Sequence, residues 1–278
     1  MALQKKEVLL DGLKVSYLEA GEKQVKALLL LHGETGDARW HWGTAITILA
    51  ENYHVLAPDL PGYGESRKLP HMRTEAMLHW IKTFMDAKGV EQAVVVGNSF
   101  GGLLARLFAA ANPSYVPALV MVNGGGVPDV PPTLALLAKI PGLFGILGRM
   151  STSPKTLDRM IHIKTLLTPE FMETARAAAS GFSGLMRMLL NSPLPKKNTP
   201  LMPTLILWGA EDKYATLEDA KGIQASVPGS HIVEIADCGH LPQLEAQDVF
   251  VWQINQFVAN LTRPTRQNLS GPQILKKD

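Results

Sequence analysis

Residues 94–104 read Val94-Val95-Val96-Gly97-Asn98-Ser99-Phe100-Gly101-Gly102-Leu103-Leu104. A β-branched run changes within three residues into an apolar pattern of helical period, which predicts a strand, a sharp turn and a helix. The turn matches G-x-S-x-G, in which a serine stands on a strained corner between strand and helix. Glycine at both ends of the motif lets the strand and the helix approach closely. The pattern therefore predicts an exposed Ser99 hydroxyl beside a helix N-terminus, which favours negative charge.

The composition is typical of a globular chain with a large buried core. It has 278 residues, 46% hydrophobic, with a formal net charge of +2. So small a charge, with Lys and Arg spread along the chain, argues against a nucleic-acid partner. The single cysteine, Cys238, excludes an internal disulfide framework and suits a reducing compartment. We find no apolar signal segment and no apolar run of transmembrane length, and therefore expect a cytoplasmic monomer or homodimer without stable membrane insertion.

Apolar runs that predict buried strands alternate with helical patterns in the first part of the chain. A hairpin turn at Asp11-Gly12 joins two short strands at the start. The apolar strands that follow are 27–31, 53–58, 93–97 and 118–122. Strands that alternate with helices indicate an α/β fold with a mostly parallel sheet and helices on both faces.

The alternation stops between residues 127 and 203, where prolines separate helical patterns and no strand is evident. The predicted helices there are 133–150, 156–167 and 169–190. We interpret 127–203 as a helical cap inserted into a core made of residues 1–126 and 204–262. The core resumes with a strand that ends near Asp212, and its last helix is predicted over 243–261. The polar tail 263–278 is expected to lie loosely on the surface.

Five motifs, taken in order, resemble those of the α/β-hydrolase fold family over nearly the whole chain. They are His32-Gly33, the turn 59–66, Ser99, Trp208-Gly209-x-x-Asp212 and Gly239-His240. The resemblance implies an eight-stranded, mostly parallel sheet with helices on both faces and an inserted helical cap. It also implies a catalytic triad of Ser99, Asp212 and His240, in that family's order.

The residue types of this triad fit nucleophilic catalysis. A serine hydroxyl is a weak nucleophile at neutral pH and needs a base within hydrogen-bond reach, here His240. Asp212 would orient the imidazole and stabilise its protonated form. Asp129 is the alternative acid, because some family members carry the acid just beyond the preceding strand. The family's oxyanion hole corresponds to the backbone N–H groups of Glu34 and Phe100.

Residues beside these motifs are candidates for the substrate pocket: His32, Gly33, Asn98 and Leu241. We expect His32 to shape its own loop rather than act as a base, and Asp59 to hold its turn together. Cys238 is interpreted as a small packing residue. No pattern in the sequence indicates a metal, nucleotide or flavin site, so no cofactor is expected.

The motif around Ser99 is similar to that of the carbon–carbon bond hydrolases that cleave dienone ring-fission products. Those enzymes usually carry Gly-Pro-Gly after His-Gly and Trp after the catalytic His; this chain has Glu34-Thr35-Gly36 and Leu241. We therefore rank hydrolysis of a carboxylic ester or related acyl bond of a small, largely apolar substrate first, and carbon–carbon hydrolysis second. A non-catalytic ligand receptor on the same fold is the third hypothesis, since fold alone does not determine function.

Overall fold

In the described part of the protein, the strands form one sheet. The computed structural model describes residues 3–128, 140, 142–192, 194–195 and 198–261. Within these residues the strands are β1 Gln4–Leu10, β2 Leu13–Ala20, β3 Ala27–Leu31, β4 His54–Pro58, β5 Ala93–Asn98, β6 Leu119–Val122, β7 Thr204–Gly209 and β8 His231–Ile235. Their order is β1-β2-β4-β3-β5-β6-β7-β8, antiparallel over β1-β2-β4 and parallel from β4 to β8. The predicted eight-stranded, mostly parallel sheet is confirmed.

Helices pack on both faces of this sheet, as predicted. They are α1 Ala38–Leu49, α2 Thr74–Ala87, α3 Phe100–Ala111, α4 Leu143–Ser151, α5 Pro154–Met160, α6 Pro169–Asn191, α7 Leu217–Ser226, α8 Pro242–Glu245 and α9 Gln247–Leu261. Side chains of β3 alternate between two cores: Leu29 and Leu31 pack with α2, α3 and α7, whereas Leu28 and Leu30 pack with α1 and α9. A strand buried on both faces explains the unbroken apolar run.

The parallel strands bring their C-terminal ends to one edge of the sheet. His32 follows β3, Ser99 follows β5, and Asn123 follows β6. Asp212 comes three residues after the end of β7. In open α/β sheets, ligands bind outside these carboxyl ends, so this edge is where a site is expected.

The segment between β6 and β7 contains α4, α5, a 3₁₀ turn at Lys164–Leu166 and α6, and no strand among its described residues. The predicted helix 156–167 is shorter than expected, because Ile161 leaves the helix with φ −94° and ψ 121°. The predicted helix 133–150 corresponds to α4 only in its last turns; residues 129–139, which include Asp129, lie outside the described residues, as does the tail 263–278.

The sequence predicts one continuous last helix over 243–261, but the structure contains two helices there. These are α8 and α9, divided by Ala246, whose φ of −139° is not helical. Just before the break, the Glu245 carboxylate accepts hydrogen bonds from the backbone N–H groups of Leu241, His162 and Ile163. These bonds provide a reason for the break, because they hold Glu245 toward the α4–α6 segment. In the described part of the chain, no helix combines the length and apolarity needed to span a membrane.

Candidate active site

Ser99 occupies a strained turn between β5 and α3. Its φ of 53° and ψ of −118° are unusual for a residue with a side chain, and such conformations cost about 1–3 kcal/mol. The turn needs both flanking glycines: a Cβ on Gly97 would lie 2.2 Å from the carbonyl oxygen of Gly101, and one on Gly101 would lie 2.1 Å from that of Leu31. The local geometry is therefore that of the strained serine corner predicted from the motif.

His240 is held by Asp212 at the same edge of the sheet. Nδ1 of the imidazole lies 2.6 Å from Oδ2 of Asp212, and both side chains are almost completely buried. A carboxylate only accepts hydrogen bonds, so Nδ1 carries the proton in this pair. Nε2 of the neutral ring then has a free lone pair, and it has no hydrogen-bond partner among the described residues. This arrangement leaves Nε2 able to accept a proton.

Asp212 is itself fixed by three further donors. The backbone N–H groups of Tyr214 and Ala215 donate to Oδ1 at 2.8 and 3.0 Å, and Nδ2 of Asn123 donates to Oδ2 at 2.8 Å. Asn123 also accepts from the backbone N–H of Gly209 at 3.0 Å, which ties the ends of β6 and β7 together. Four hydrogen bonds to a buried carboxylate leave it little freedom to rotate.

The pKa of His240 is raised above its ordinary value. Burial acts against the charged imidazolium and lowers the pKa, but the charge and hydrogen bond of Asp212, followed by the charges of Glu34 and Glu245, outweigh it. The surroundings thus stabilise a protonated His240, which is what a base next to a nucleophile requires at the moment of proton transfer.

Ser99 and His240 line one pocket of about 460 Å³. No hydrogen bond joins the two side chains in this structure, since Nε2 of His240 is unpaired. Catalytic hydrogen bonds are often long in unliganded enzymes and tighten when substrate binds. The remaining lining is mainly apolar and includes Phe182, Met186 and Leu189 of α6.

The other side of Ser99 carries a second carboxylate. The backbone N–H of Phe100, at the start of α3, donates to Oε2 of Glu34 at 3.4 Å. Glu34 is only 6% exposed and lines the same pocket. The sequence suggested a role for the backbone of Glu34 but contained no signal that its side chain would contact Phe100.

The His32 and Asp59 side chains hold the loops beside the site. Nδ1 of His32 donates to the carbonyl oxygen of Gly33 at 2.7 Å, and Nε2 accepts from the N–H of Leu60 at 2.9 Å. These bonds require a neutral ring, and burial, the largest influence, lowers the pKa of His32. Asp59 accepts from the N–H groups of Ala38 and Glu65. Both side chains therefore stabilise loops.

The four residues predicted for the substrate pocket, His32, Gly33, Asn98 and Leu241, do not appear in the described lining of this pocket. Gly33 packs against the serine, because a Cβ there would lie 3.2 Å from Cβ of Ser99. Asn98 is buried and donates through Nδ2 to the carbonyl oxygens of Val122 and His240, both at 3.1 Å. Leu241 is buried in a small core with Met160. Asn98 and Leu241 thus support the site from behind.

Two contributors were not identified from the sequence. Asn123 adopts a left-handed φ of 41°, a conformation that Asn tolerates better than most residues. An Asn directly before Gly124 at the end of a strand was the sequence signal for such a turn. The ring of Tyr214 lies edge-on to the imidazole of His240 at 5.3 Å. Among the described residues, no group of three or more His, Cys, Asp or Glu side chains is arranged to hold a metal ion.

A model of the alpha/beta hydrolase family matches residues 28–252. The chain is 25% identical to a 2-hydroxy-6-oxo-2,4-heptadienoate hydrolase of Pseudomonas putida, over 91% of this chain and 95% of that one. It is 28% identical to Lipase 1 of Psychrobacter immobilis, over 86% and 79% of the two chains. A solved bacterial membrane phospholipase A superposes with a TM-score of 0.76 at 28% identity, covering 94% of this chain and 87% of that one.

The matched region extends from β3 into α9 and includes the strand ends that carry Ser99, Asp212 and His240. With the eight-stranded sheet, the match shows that this chain belongs to the alpha/beta hydrolase family.

Proposed function

We propose that this chain is a serine hydrolase that cleaves a carboxylic ester or related acyl bond of a small, largely apolar substrate. One observation carries the proposal: His240, clamped by Asp212 and with Nε2 unpaired, lines the same pocket as Ser99. A nucleophile and an oriented base on one pocket are the elements of acyl transfer. The apolar side chains of α6 supply the surface for the organic part of the substrate.

In the proposed mechanism, Oγ of Ser99 attacks the acyl carbon while Nε2 of His240 takes the hydroxyl proton. The tetrahedral intermediate collapses when His240 returns this proton to the leaving oxygen, which breaks the ester bond and leaves an acyl group on Ser99. Water, deprotonated by His240, then attacks the acyl-enzyme. The bond between the acyl carbon and Oγ of Ser99 breaks as His240 returns the proton to Oγ, which releases the acid. Asp212 stabilises the imidazolium throughout without taking the proton.

The oxyanion would be held by the backbone N–H groups of Glu34 and Phe100. Phe100 begins α3, so its N–H lies at the positive end of a helix dipole. This N–H already donates to a carboxylate oxygen of Glu34, which supports its capacity to hold negative charge. One such donor is worth roughly 2.7–4 kcal/mol in comparable enzymes.

The α4–α6 segment would act as the cap of this pocket. Phe182 and Met186 place α6 over the cavity, and Trp40 of α1 packs on Phe171 with ring centroids 4.4 Å apart. The backbone N–H of His240 also donates to the carbonyl oxygen of Met160 at 2.8 Å. Through these contacts the depth and width of the pocket depend on the segment we assign as a cap.

The first test is labelling with a fluorophosphonate, which reacts only with an activated serine. We expect stoichiometric labelling of the wild type, none of Ser99→Ala, and a steep loss in His240→Ala. Ser114→Ala and His79→Ala, both at exposed positions, are matched controls that should label normally. A folded wild type that does not label would contradict the serine-hydrolase proposal and favour the ligand-receptor alternative.

Carbon–carbon bond hydrolysis is the second candidate, and the name of the Pseudomonas putida relative supports it. That relative's substrate is a dienoate and therefore an anion. The described lining of our pocket contains Glu34 and Asp219 but no Lys or Arg, which favours an uncharged or cationic substrate. We would compare kcat/KM for aryl esters of increasing chain length with that for a dienone ring-fission product. A preference for the dienone by orders of magnitude would reverse our ranking.

A further inference from the structure

The Glu34 carboxylate is a buried charge that the proposed mechanism does not use. It lines the pocket with Ser99 and His240, and no Lys or Arg belongs to the described lining. Within the described residues, its one hydrogen bond is the long contact from the N–H of Phe100, at 3.4 Å. A carboxylate with a single long hydrogen bond has acceptor capacity left for a ligand that brings a donor.

The contact with Phe100 defines where this donor would be. Oε2 of Glu34 occupies the acceptor position of the proposed oxyanion hole. The carbonyl oxygen of a bound substrate and the carboxylate therefore compete for one N–H group. For an acyl group to bind there, the Glu34 side chain must turn away from Phe100. The backbone N–H of Glu34 is the other proposed donor of the oxyanion hole, so its carboxylate remains only a side chain's length from the acyl carbonyl.

The surroundings of this position are electrically negative. The pKa of the Tyr214 hydroxyl is raised, first by the charge of Glu34, then by burial and by the charge of Asp212. The pKa of the Tyr63 hydroxyl is also raised, mainly by burial and secondarily by the charge of Glu34. Only His240, itself paired with Asp212, offers a positive charge among the ionisable side chains of the described lining.

We propose that Glu34 is a specificity-determining residue that selects acyl groups with a hydrogen-bond donor, above all an ammonium, on the carbon adjacent to the scissile carbonyl. The same carboxylate disfavours a substrate with an anionic group at that carbon. This inference rests on the proposed acyl hydrolysis at Ser99 and names its substrate class. A charge-assisted hydrogen bond of this kind changes the relative kcat/KM by about 10- to 100-fold.

Four benzyl esters with the same three-carbon acyl skeleton test this proposal. They differ only at the second carbon: amino (alaninate), hydroxyl (lactate), methyl (isobutyrate) and carboxylate (methylmalonate half-ester). We would measure kcat/KM at pH 7, where an α-amino group is mostly protonated. The wild type should prefer them in the order ammonium, hydroxyl, methyl, carboxylate.

The variants are Glu34→Gln, which removes the charge at nearly constant size, and Glu34→Ala, which removes the group; both retain the backbone N–H. Each should lower the ammonium-to-methyl ratio about tenfold or more and raise the rate on the carboxylate ester. Glu218→Gln is the matched control, because Glu218 is exposed on α7 and pairs only with Lys221 among the described residues. It should leave all four rates unchanged.

Two results would overturn the proposal. If Glu34→Gln accelerates all four esters by one factor, the carboxylate only blocks Phe100 and selects nothing. If no rate changes, the side chain has no role in selection.

Binding of the corresponding N-benzyl amides to Ser99→Ala, with and without Glu34→Gln, is measured in parallel by calorimetry. A wild type that cleaves no ester and takes no fluorophosphonate refutes the proposed function, whereas the order of amide affinities still decides the role of Glu34.

Discussion

The candidate site contains two carboxylates, one that holds His240 and one that contacts Phe100, and they are equally buried but have very different numbers of hydrogen bonds. Asp212 and Glu34 are each 6% exposed. Asp212 accepts four hydrogen bonds between 2.6 and 3.0 Å, whereas the Glu34 side chain accepts one at 3.4 Å within the described residues. Burial alone therefore does not define the role of an acidic side chain. The number of donors around it separates a group that is held in place from a group that is able to respond to a ligand.

The largest difference between the two carboxylates should appear when each loses its charge. Asp212→Asn removes the acceptor that orients His240, and in serine hydrolases this change lowers kcat by roughly 10⁴-fold. Glu34→Gln should change kcat on the uncharged isobutyrate ester by less than about tenfold, because it leaves both backbone N–H donors in place. Steady-state kinetics on this ester compares them directly.

Asp129→Asn is the matched control for Asp212→Asn, because Asp129 is the alternative acid suggested by the sequence. It should retain wild-type activity. A loss at position 129 that exceeds the loss at position 212 would transfer the role of the acid to Asp129.

Replacing Asn123 should lower kcat less than replacing Asp212. Asn123 donates a hydrogen bond to Asp212, and none of the described hydrogen bonds joins it to His240. Asn123→Gly keeps the left-handed backbone, where φ is 41°, and removes only the side chain. Loss of the bond to the Asp212 carboxylate, together with the bond from the Gly209 N–H, should lower the free energy of unfolding by about 1.5–3 kcal/mol. We expect kcat to fall by about tenfold, because Asp212 is held less firmly. Urea unfolding and ester kinetics measure the two effects. An unchanged kcat would show that the three other donors suffice to orient Asp212.

Glu245 is a third carboxylate that accepts several hydrogen bonds, but it lies outside the described lining of the pocket. Its replacement tests whether such a carboxylate stabilises the fold. It accepts hydrogen bonds from the N–H groups of His162, Ile163 and Leu241, so it joins the start of α8 to the α4–α6 segment. Glu245→Gln should lower the free energy of unfolding by about 1–2 kcal/mol, because bonds to a charged acceptor become bonds to a neutral one. The exposed Glu218→Gln should stay within about 0.5 kcal/mol of the wild type. Equal stability of both variants would contradict this assignment.

The sequence predicted the elements of the sheet well because their signals are local. Apolar strands such as 27–31, glycine at the Ser99 turn and the order of Ser99, Asp212 and His240 are all visible in short windows of sequence. Parallel topology then implied that residues following these strands would lie at one edge. The position of candidate site residues that end a strand or follow one was therefore accessible to sequence reasoning.

The contacts between distant segments were not accessible in this way. The bond from Phe100 to the Glu34 side chain depends on a rotamer and on the position of two loops relative to each other. Asn123 bonds to Asp212 across 89 positions of sequence. The division of the last helix at Ala246 follows from three N–H groups that reach Glu245 from two loops. Such features result from tertiary packing, which overrides local propensity.

The pH dependence provides the finest comparison of the two carboxylates. In the proposed mechanism, His240 must be neutral to accept the proton of Ser99, so activity should rise with pH through its pKa. That pKa is raised, with Asp212 contributing more than Glu34. In the wild type, the acidic limb of kcat/KM should therefore have its midpoint above the ordinary imidazole value of about 6.5. Asp212→Asn removes the main negative charge that raises the pKa of His240, whereas burial continues to lower it. The midpoint should therefore move below this value. Glu34→Gln should move it in the same direction by a smaller amount. The midpoints of the wild type, Asp212→Asn and Glu34→Gln are measured from the rates of fluorophosphonate labelling between pH 5 and pH 9. This measurement is possible even where turnover is slow. A midpoint that stays in place in Asp212→Asn would mean that another group, not His240, controls the reactivity of Ser99.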